Sequence, residues 1–171
     1  MYLDAAGNAT LTEDATTSDA CGIASSSIDI TEFSCAHVGA PTTVTISAED
    51  NNGNTAAATI QVNVMDTISP AAVAEGLTVY LDASGAASIS AADVGNGSSD
   101  ACGIADLSLS QTDFGCSHVG ANVVTLTVTD NNGNQSTATA TITVEDNVAP
   151  MAAAHDLTLV LDATGGFSIR A

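Results

Sequence analysis

Four cysteines are the residues of this 171-residue chain whose type and spacing point to covalent chemistry. They form two pairs of equal spacing, Cys21 with Cys35 and Cys102 with Cys116, and none is left over. An even set of cysteines at regular spacing is typical of disulfides formed in an oxidising compartment. We therefore predict one disulfide within each pair, which closes a loop of about 15 residues and stabilises the fold by about 3 kcal/mol.

A zinc site is the alternative use of these cysteines. His37 and His118 each follow the second cysteine of a pair closely. Structural zinc sites, however, usually contain cysteines only a few residues apart and need a fourth ligand. Because each pair lacks both features, the pattern favours disulfides, and we predict that the histidines pack against neighbours or form hydrogen bonds.

Acidic and amide side chains near the predicted turns form a second set of candidate ligands. Calcium binds six to eight oxygen atoms, which Asp, Asn and backbone carbonyl groups supply. The same residues are also ordinary turn formers, and the EF-hand pattern is absent. We therefore keep calcium as a predicted cofactor beside the alternative of no cofactor. The candidate calcium ligands are Asp50, Asn51, Asp66, Asp82, Asp100, Asp130, Asn131 and Asp146.

The charge balance excludes several classes of partner. The chain has 20 acidic residues and one basic residue, which give a net charge of −19. Nucleic acids and anionic membrane surfaces bind through lysine and arginine, so we predict that the chain binds neither. No apolar run is long enough to insert across a bilayer, so we also predict no membrane insertion.

Motifs typical of enzymes are absent from the sequence. It contains no Gly-x-Ser-x-Gly, no His-Glu-x-x-His and no glycine-rich phosphate loop. The one basic residue, Arg170, leaves little that could hold an anionic substrate. We therefore predict that the protein is not an enzyme and has no catalytic residue.

Alternation of apolar and polar residues predicts the strands that must position the cysteines and the acids. Apolar residues alternate with threonine over residues 123–129, and residues 136–145 repeat this pattern. Residues 130–134 lie between them and contain Asn-Gly, which favours a tight hairpin turn. No segment has helical periodicity, so the sequence predicts an all-β fold. In the first half, the apolar residues that flank the equivalent turn and that we predict to face inward are Val44, Ile46, Ile60, Val62 and Val64.

An internal repeat divides the chain into modules. The segments DACGIA and DNNGN each occur twice, at a spacing of about 80 residues. We predict a β-sandwich repeat over residues 1–66 that lacks most of its opening strand, a second over residues 67–146, and the incomplete start of a third over residues 147–171. The linkers 66–70 and 146–150 are short and end in proline, which predicts a stiff rod.

The segment FGCSHVGANVVTLTVTDNNGN (residues 114–134), followed by Asp-Asn-x-Ala-Pro, resembles the hyalin-type (HYR-like) tandem repeats of giant Bacteroidetes cell-surface adhesins, including gliding-motility adhesins. The first module carries FSCAHVGAPTTVTISAEDNNGN in the same place, and the resemblance covers nearly the whole chain. It implies tandem immunoglobulin-like sandwiches, export by the type IX route and a place on the bacterial cell surface. In such a source, Asp66-Thr67-Ile68 resembles an O-glycosylation motif with Thr67 as the acceptor.

These observations lead to one functional prediction and two alternatives. We predict a structural and adhesive repeat segment of an extracellular adhesin or filament, which extends and stiffens a stalk. Its partners would be neighbouring repeats of the same protein, and surface polysaccharide or other cells. The first alternative is a module that itself binds carbohydrate or a surface. The second is a filament subunit that self-associates by strand exchange, in which residues 150–171 supply the strand that the first module lacks.

Overall fold

Strands dominate the chain, and they fall into two groups, each with its own core. The structure is a computed structural model that describes residues 1–12, 17–156, 158, 161 and 163–166. Each group contains a larger sheet and a two-stranded sheet, and apolar side chains lie between them. The predicted all-β class of tandem immunoglobulin-like sandwiches is confirmed. None of the helices in the described part of the chain is long and apolar enough to cross a membrane.

The described residues of the first module form five strands. A three-stranded antiparallel sheet has the order β2-β4-β5, and β1 pairs with β3 in the smaller sheet. Parallel bridges join Tyr2 to Met65 and Val38 to Val64, and they bring both ends of the module together. The strands are β1 (Asn8–Thr10), β2 (Ile23–Ile28), β3 (Glu32–Ser34), β4 (Thr42–Asp50) and β5 (Thr55–Val62).

The second module repeats this plan with one more paired strand. Its main sheet has the order β6-β11-β10-β8, in which β6 runs parallel to β11 and the other pairs are antiparallel. The smaller sheet pairs β7 with β9. No strand occurs among the described residues beyond Glu145. The strands are β6 (Leu77–Tyr80), β7 (Ala86–Ser88), β8 (Ile104–Leu109), β9 (Asp113–Gly115), β10 (Gly120–Asp130) and β11 (Gln135–Glu145).

The hairpin of β10 and β11 is the longest paired element, and its alternation sets which side chains enter the core. Val124, Leu126 and Val128 are fully buried, whereas the threonines between them lie on the other face. Ile142 and Val144 of β11 are buried with them. The predicted strands and the turn between them are therefore confirmed, because a strand with one buried face needs this period of two.

The first core is smaller, and one predicted core residue lies outside it. Val44 and Val62 are buried as expected, together with Phe33 from the smaller sheet. Ile60 was predicted to face inward, but 41% of its surface is exposed. The reason is that β5 is an edge strand with a neighbour on one side only, whereas β11 lies between β6 and β10.

A one-turn helix, α1 (Ala91–Gly95), was not predicted. Ser90 caps it reciprocally, since the Asp93 backbone N–H donates to the Ser90 hydroxyl (3.3 Å) and the Ser90 N–H donates to the Asp93 carboxylate (2.8 Å). The turn brings Val94 into the core and places Gly95 against Leu126. A Ser-x-x-Asp sequence before an apolar residue was the signal that could have revealed it.

Truncation of Leu126 tests the importance of the second core. Leu126→Ala should lower the free energy of unfolding of the second module by about 3 kcal/mol, because the closely surrounded site cannot collapse around the cavity. Val123→Ala on the same strand is the matched control, since Val123 is 71% exposed and its loss should cost less than about 0.5 kcal/mol. Urea unfolding followed by circular dichroism measures both, and equal losses would contradict the assignment of the core.

Candidate functional site

A disulfide joins the two modules. Cys35 of the first module is bonded to Cys102 of the second, with a Cα–Cα distance of 5.2 Å and a sequence separation of 67 residues. Cys21 and Cys116 are exposed free thiols. The predicted pairing of Cys21 with Cys35 and of Cys102 with Cys116 is therefore wrong. Equal spacing inside repeats is compatible with bonds within a module or between modules, so the spacing alone could not select the partner.

Cys35 is held by a 3-10 turn, Cys35–His37, that follows β3. The Ser34 backbone N–H donates to Nδ1 of His37 at 3.0 Å, and the imidazole ring packs edge-on against Phe33 with the centroids 5.3 Å apart. His37 therefore closes the turn on the core and fixes the position of Cys35. The prediction that the histidines pack and form hydrogen bonds is confirmed.

Both backbone polar groups of Cys102 are held by hydrogen bonds. Its backbone N–H donates to Oδ1 of Asp100 at 2.7 Å, and its carbonyl oxygen accepts from Nδ2 of Asn131 at 2.7 Å. Gly103 follows with a φ of +93°, and a Cβ there would lie 2.7 Å from Nδ2 of Asn131. Asp100, Asn131 and Gly103 thus position Cys102 for the joint.

The two modules approach closely beside the disulfide. Gly7 of the first module is buried, and a Cβ on it would lie 2.8 Å from Sγ of Cys35 and 3.2 Å from Cβ of Ala101 in the second module. Its φ of +74° also disfavours any other residue. A glycine at this position therefore permits both the turn and the contact between modules.

The linker carboxylate of Asp66 lies inside the joint and is 9% exposed. Its Oδ1 accepts the Ile68 N–H at 3.1 Å, and its backbone carbonyl accepts from Nδ2 of Asn134 at 3.3 Å. The turn between β10 and β11 therefore contacts the end of the first module. The second carboxylate oxygen, Oδ2, is buried and has no hydrogen-bond partner within the part of the chain that the structure describes.

Two of the predicted calcium ligands meet at this joint. A carboxylate oxygen of Asp66, a carboxylate oxygen of Asp100 and the sulfur of Cys102 all lie within 4.8 Å of one another. The sulfur is part of the disulfide and is not a thiolate, so only the carboxylates have the character of a hard-cation ligand. The joint thus places two acidic groups from different modules side by side.

The other six predicted calcium ligands instead form hydrogen bonds within their own turns or to nearby backbone groups. Asp50, Asp82 and Asp130 each accept backbone N–H groups of their own turns. Asn51 and Asn131 use their amides to hold the carbonyl oxygens of Cys21 and Cys102. Asp146 is exposed and accepts the Val148 N–H. These hydrogen bonds are those of ordinary turn residues, which is the alternative to calcium binding.

Hydrogen bonds stabilise the charged form of the turn aspartates. The side-chain amide of Asn54 is the main cause of a lowered pKa at Asp50. At Asp130, burial acts to raise the pKa, but the Asn134 amide and three backbone N–H groups outweigh it, so the pKa lies below its ordinary value of 3.8. Both carboxylates are therefore ionised wherever the chain is folded at neutral pH.

Thr67 is exposed in the linker and lines a groove between the modules, together with Met65 and Asn132. The groove is open to solvent, and the position is compatible with a modified side chain. Glycosylation of Thr67 stays a prediction.

Comparisons with known proteins find similarity among solved structures only. No protein-family model matches the sequence, and no curated protein matches it. Among solved structures, the fibronectin(III)-like modules of CbhA from Clostridium thermocellum align over 91% of this chain and 94% of theirs, with 12% identity and a TM-score of 0.32. A similarity this low carries no functional information.

The turn aspartate Asp130 predicts a defined dependence of stability on pH. Because its pKa is lower in the folded state than in the unfolded state, its contribution is complete above about pH 5 and is lost as the pH falls through the folded pKa. Asp130→Asn should cost about 1–2 kcal/mol at pH 7, and the difference from the parent should shrink below about pH 4. Urea unfolding at several pH values measures this difference in the free energy of unfolding.

The control is Asp146→Asn, an exposed position with one backbone N–H bond to its carboxylate. It should change stability by less than about 0.5 kcal/mol. Relief of the general acidic repulsion affects parent and variants alike, so it cancels in the difference. A gap between the parent and Asp130→Asn that stays constant from pH 7 to pH 3 would contradict the assignment.

Proposed function

We propose that this chain is a structural, non-catalytic segment of an extracellular repeat array that extends and stiffens a stalk. The observation that carries the proposal is the disulfide between Cys35 and Cys102, because it connects one module to the next. A disulfide inside a module would stabilise that module only. A disulfide across the joint also limits how the modules move relative to each other.

Several further contacts act on the same joint from different directions. The Asn134 amide donates to the backbone carbonyl of Asp66, and Gly7 lies so near Ala101 that a Cβ on it would be 3.2 Å from the Ala101 Cβ. Within the second module, the end of the linker is fixed as well, since Pro70 is buried and the adjacent Ala71 exchanges backbone hydrogen bonds of 2.8 and 3.1 Å with Ser99. Because the contacts that cross the joint lie on different loops, bending it would strain the disulfide or break one of these contacts. Stiffness is the property that a spacer needs.

An extracellular location on a bacterial surface fits the same features. Disulfides persist in oxidising surroundings outside the cytoplasm. A net charge of −19 keeps neighbouring acidic stalks apart and disfavours contact with nucleic acid and anionic membranes. The resemblance of residues 114–134 to HYR-like adhesin repeats supports a stalk of this kind in a cell-surface adhesin.

Direct adhesion by the modules is the second candidate function. Tyr2 and Tyr80 occupy equivalent places in the two modules and are 63% and 59% exposed. Aromatic rings exposed in this way can stack on sugars or other surfaces. We rank this function second, because each module presents one such ring, whereas the joint combines a covalent bond with several contacts.

Removal of the disulfide tests the spacer function. Cys35→Ser combined with Cys102→Ser should leave both modules folded, because each has its own core. It should cost about 4 kcal/mol in the chain-entropy model and broaden the distribution of distances between the modules. Small-angle X-ray scattering measures this distribution, and circular dichroism checks the fold.

The matched control is Cys21→Ser combined with Cys116→Ser, which changes the same number of cysteines but leaves the joint bonded. Its scattering should equal that of the parent. If the variant without the disulfide scatters like the control, the bond does not stiffen the joint, and the spacer function loses its main support.

A further inference from the structure

The two free thiols occupy the same places in the repeat as the two bonded ones. Cys21 stands in the DACGIA segment of the first module, as Cys102 does in the second. Cys116 begins the 3-10 turn Cys116–His118, as Cys35 begins Cys35–His37. Each module therefore carries one cysteine of each kind, and the joint between the two modules uses one from each.

The surroundings of Cys21 reproduce those that position Cys102. The Cys21 N–H donates to Oδ1 of Asp19 at 2.7 Å, as Cys102 does to Asp100. The carbonyl oxygen of Cys21 accepts from Nδ2 of Asn51 at 3.0 Å, as that of Cys102 does from Asn131. The backbone of Cys21 is thus held as that of the bonded Cys102 is, although Cys21 is a free thiol.

The surroundings of Cys116 reproduce those of Cys35 in the same way. Sγ of Cys116 lies 3.8 Å from the carbonyl oxygen of Gly85, the distance found between Cys35 and Gly7. The Gly115 N–H donates to Nδ1 of His118 at 2.9 Å, and His118 packs edge-on against Phe114. The surface around Cys35, to which Cys102 is bonded, is therefore present again around Cys116 of the second module.

Residues that are buried at the joint have exposed counterparts at the corresponding place in the next repeat. Asp66 is buried, whereas Asp146 is exposed. Pro70 is buried, whereas Pro150 is exposed. The face around Cys116 thus has the chemistry of the face around Cys35, and in the part of the chain that the structure describes no module covers it.

From this repetition we propose that Cys116 bonds to the Cys21-type cysteine of a further module and that Cys21 bonds to the Cys116-type cysteine of a preceding one. Each joint of an array would then carry a disulfide of the Cys35–Cys102 kind. The inference rests on the proposed spacer function and adds its partner, which is another module of the same type.

The bond forms by thiol–disulfide exchange with a small disulfide such as oxidised glutathione. The thiolate of Cys116 attacks one glutathione sulfur and releases one glutathione thiolate. The thiolate of Cys21 then attacks the protein sulfur of the mixed disulfide and releases the second glutathione. The two protons lost by the cysteines end on the two glutathione molecules, so two thiols are oxidised and one disulfide is reduced.

A second copy of the chain can stand in for the further module. The purified protein, at high concentration, is incubated with oxidised glutathione and separated on a non-reducing gel. We expect a ladder of head-to-tail oligomers, because each chain has one thiol of each kind. Peptide mapping by mass spectrometry should find Cys21 linked to Cys116. Cys21→Ser and Cys116→Ser alone should each abolish species larger than a dimer.

Two results would overturn the proposal. One is a yield of Cys21–Cys21, Cys116–Cys116 and Cys21–Cys116 links in the statistical ratio of about 1:1:2, which exposed thiols without matching faces would give. The other is the absence of any link between chains while the thiols remain free or carry glutathione. Neither result affects the scattering test of the Cys35–Cys102 joint, so failure here and failure of the spacer function can be told apart.

A separate observation, the buried Oδ2 of Asp66, carries a second proposal. This oxygen has no hydrogen-bond partner among the described residues, and the carboxylates of Asp66 and Asp100 lie within 4.8 Å of each other. A buried charge is retained when it is paired or coordinates a cation. With one basic residue in the whole chain, the composition offers almost no cationic side chain for that pairing.

We infer that Asp66 and Asp100 bind a calcium ion at the joint, with backbone carbonyl groups and water completing its oxygen ligands. Asp66 lies in the linker and Asp100 beside Cys102 of the second module, so the ion would connect the two. Binding to the folded joint and not to the unfolded chain stabilises the protein.

Thermal melting in calcium chloride and in chelator tests this site. The parent should melt at least about 4 °C higher in millimolar calcium. Asp66→Asn should abolish that shift, whereas Asp146→Asn, at the equivalent exposed position, should keep it. In chelator, Asp66→Asn should melt higher than the parent, because it removes a buried unpaired charge. Equal melting of the parent in calcium and in chelator, or loss of the shift in both variants, would overturn the proposal.

Discussion

The bond between Cys35 and Cys102 imposes the constraint on which the joint depends. A disulfide requires its Cα atoms to lie close together, and here they are 5.2 Å apart. Two modules can approach this closely only where side chains leave room, and Gly7, which faces Ala101, leaves that room. The same approach buries the carboxylate of Asp66 in the linker. The buried acid and the absent side chain therefore both lie at one covalent contact.

The turn between β10 and β11 shows how few residues build this contact. Asp130 caps its own turn, Asn131 holds the carbonyl of Cys102, and Asn134 reaches both Asp130 and the linker. A loop that reads in the sequence as a plain hairpin therefore positions a cysteine and contacts a neighbouring module. Uncharged amides suit this role, since they donate and accept hydrogen bonds without adding to the acidic charge.

Sequence reasoning predicted the elements whose signals are local. The alternation in β10 and β11 identified their buried faces, because each strand carries its own pattern. It failed where a feature arises from contact between distant segments: the partner of Cys35, the burial of Asp66 and the exposure of Ile60 at a sheet edge. The missed helix α1 is different, because Ser90 and Asp93 were a local capping signal that could have been interpreted.

The position of the disulfide also decides how the chain would respond to a pulling force. While the bond is intact, the residues between Cys35 and Cys102, which include β4, β5, β6 and β7, cannot be drawn out, because the load passes through the sulfur atoms. In an array bonded at every joint, the load would run along the short segment from Cys102 to Cys116 and then cross to the next module. The long hairpin of β10 and β11 would carry none of it. Such a stalk would lengthen only slightly before a covalent bond had to break.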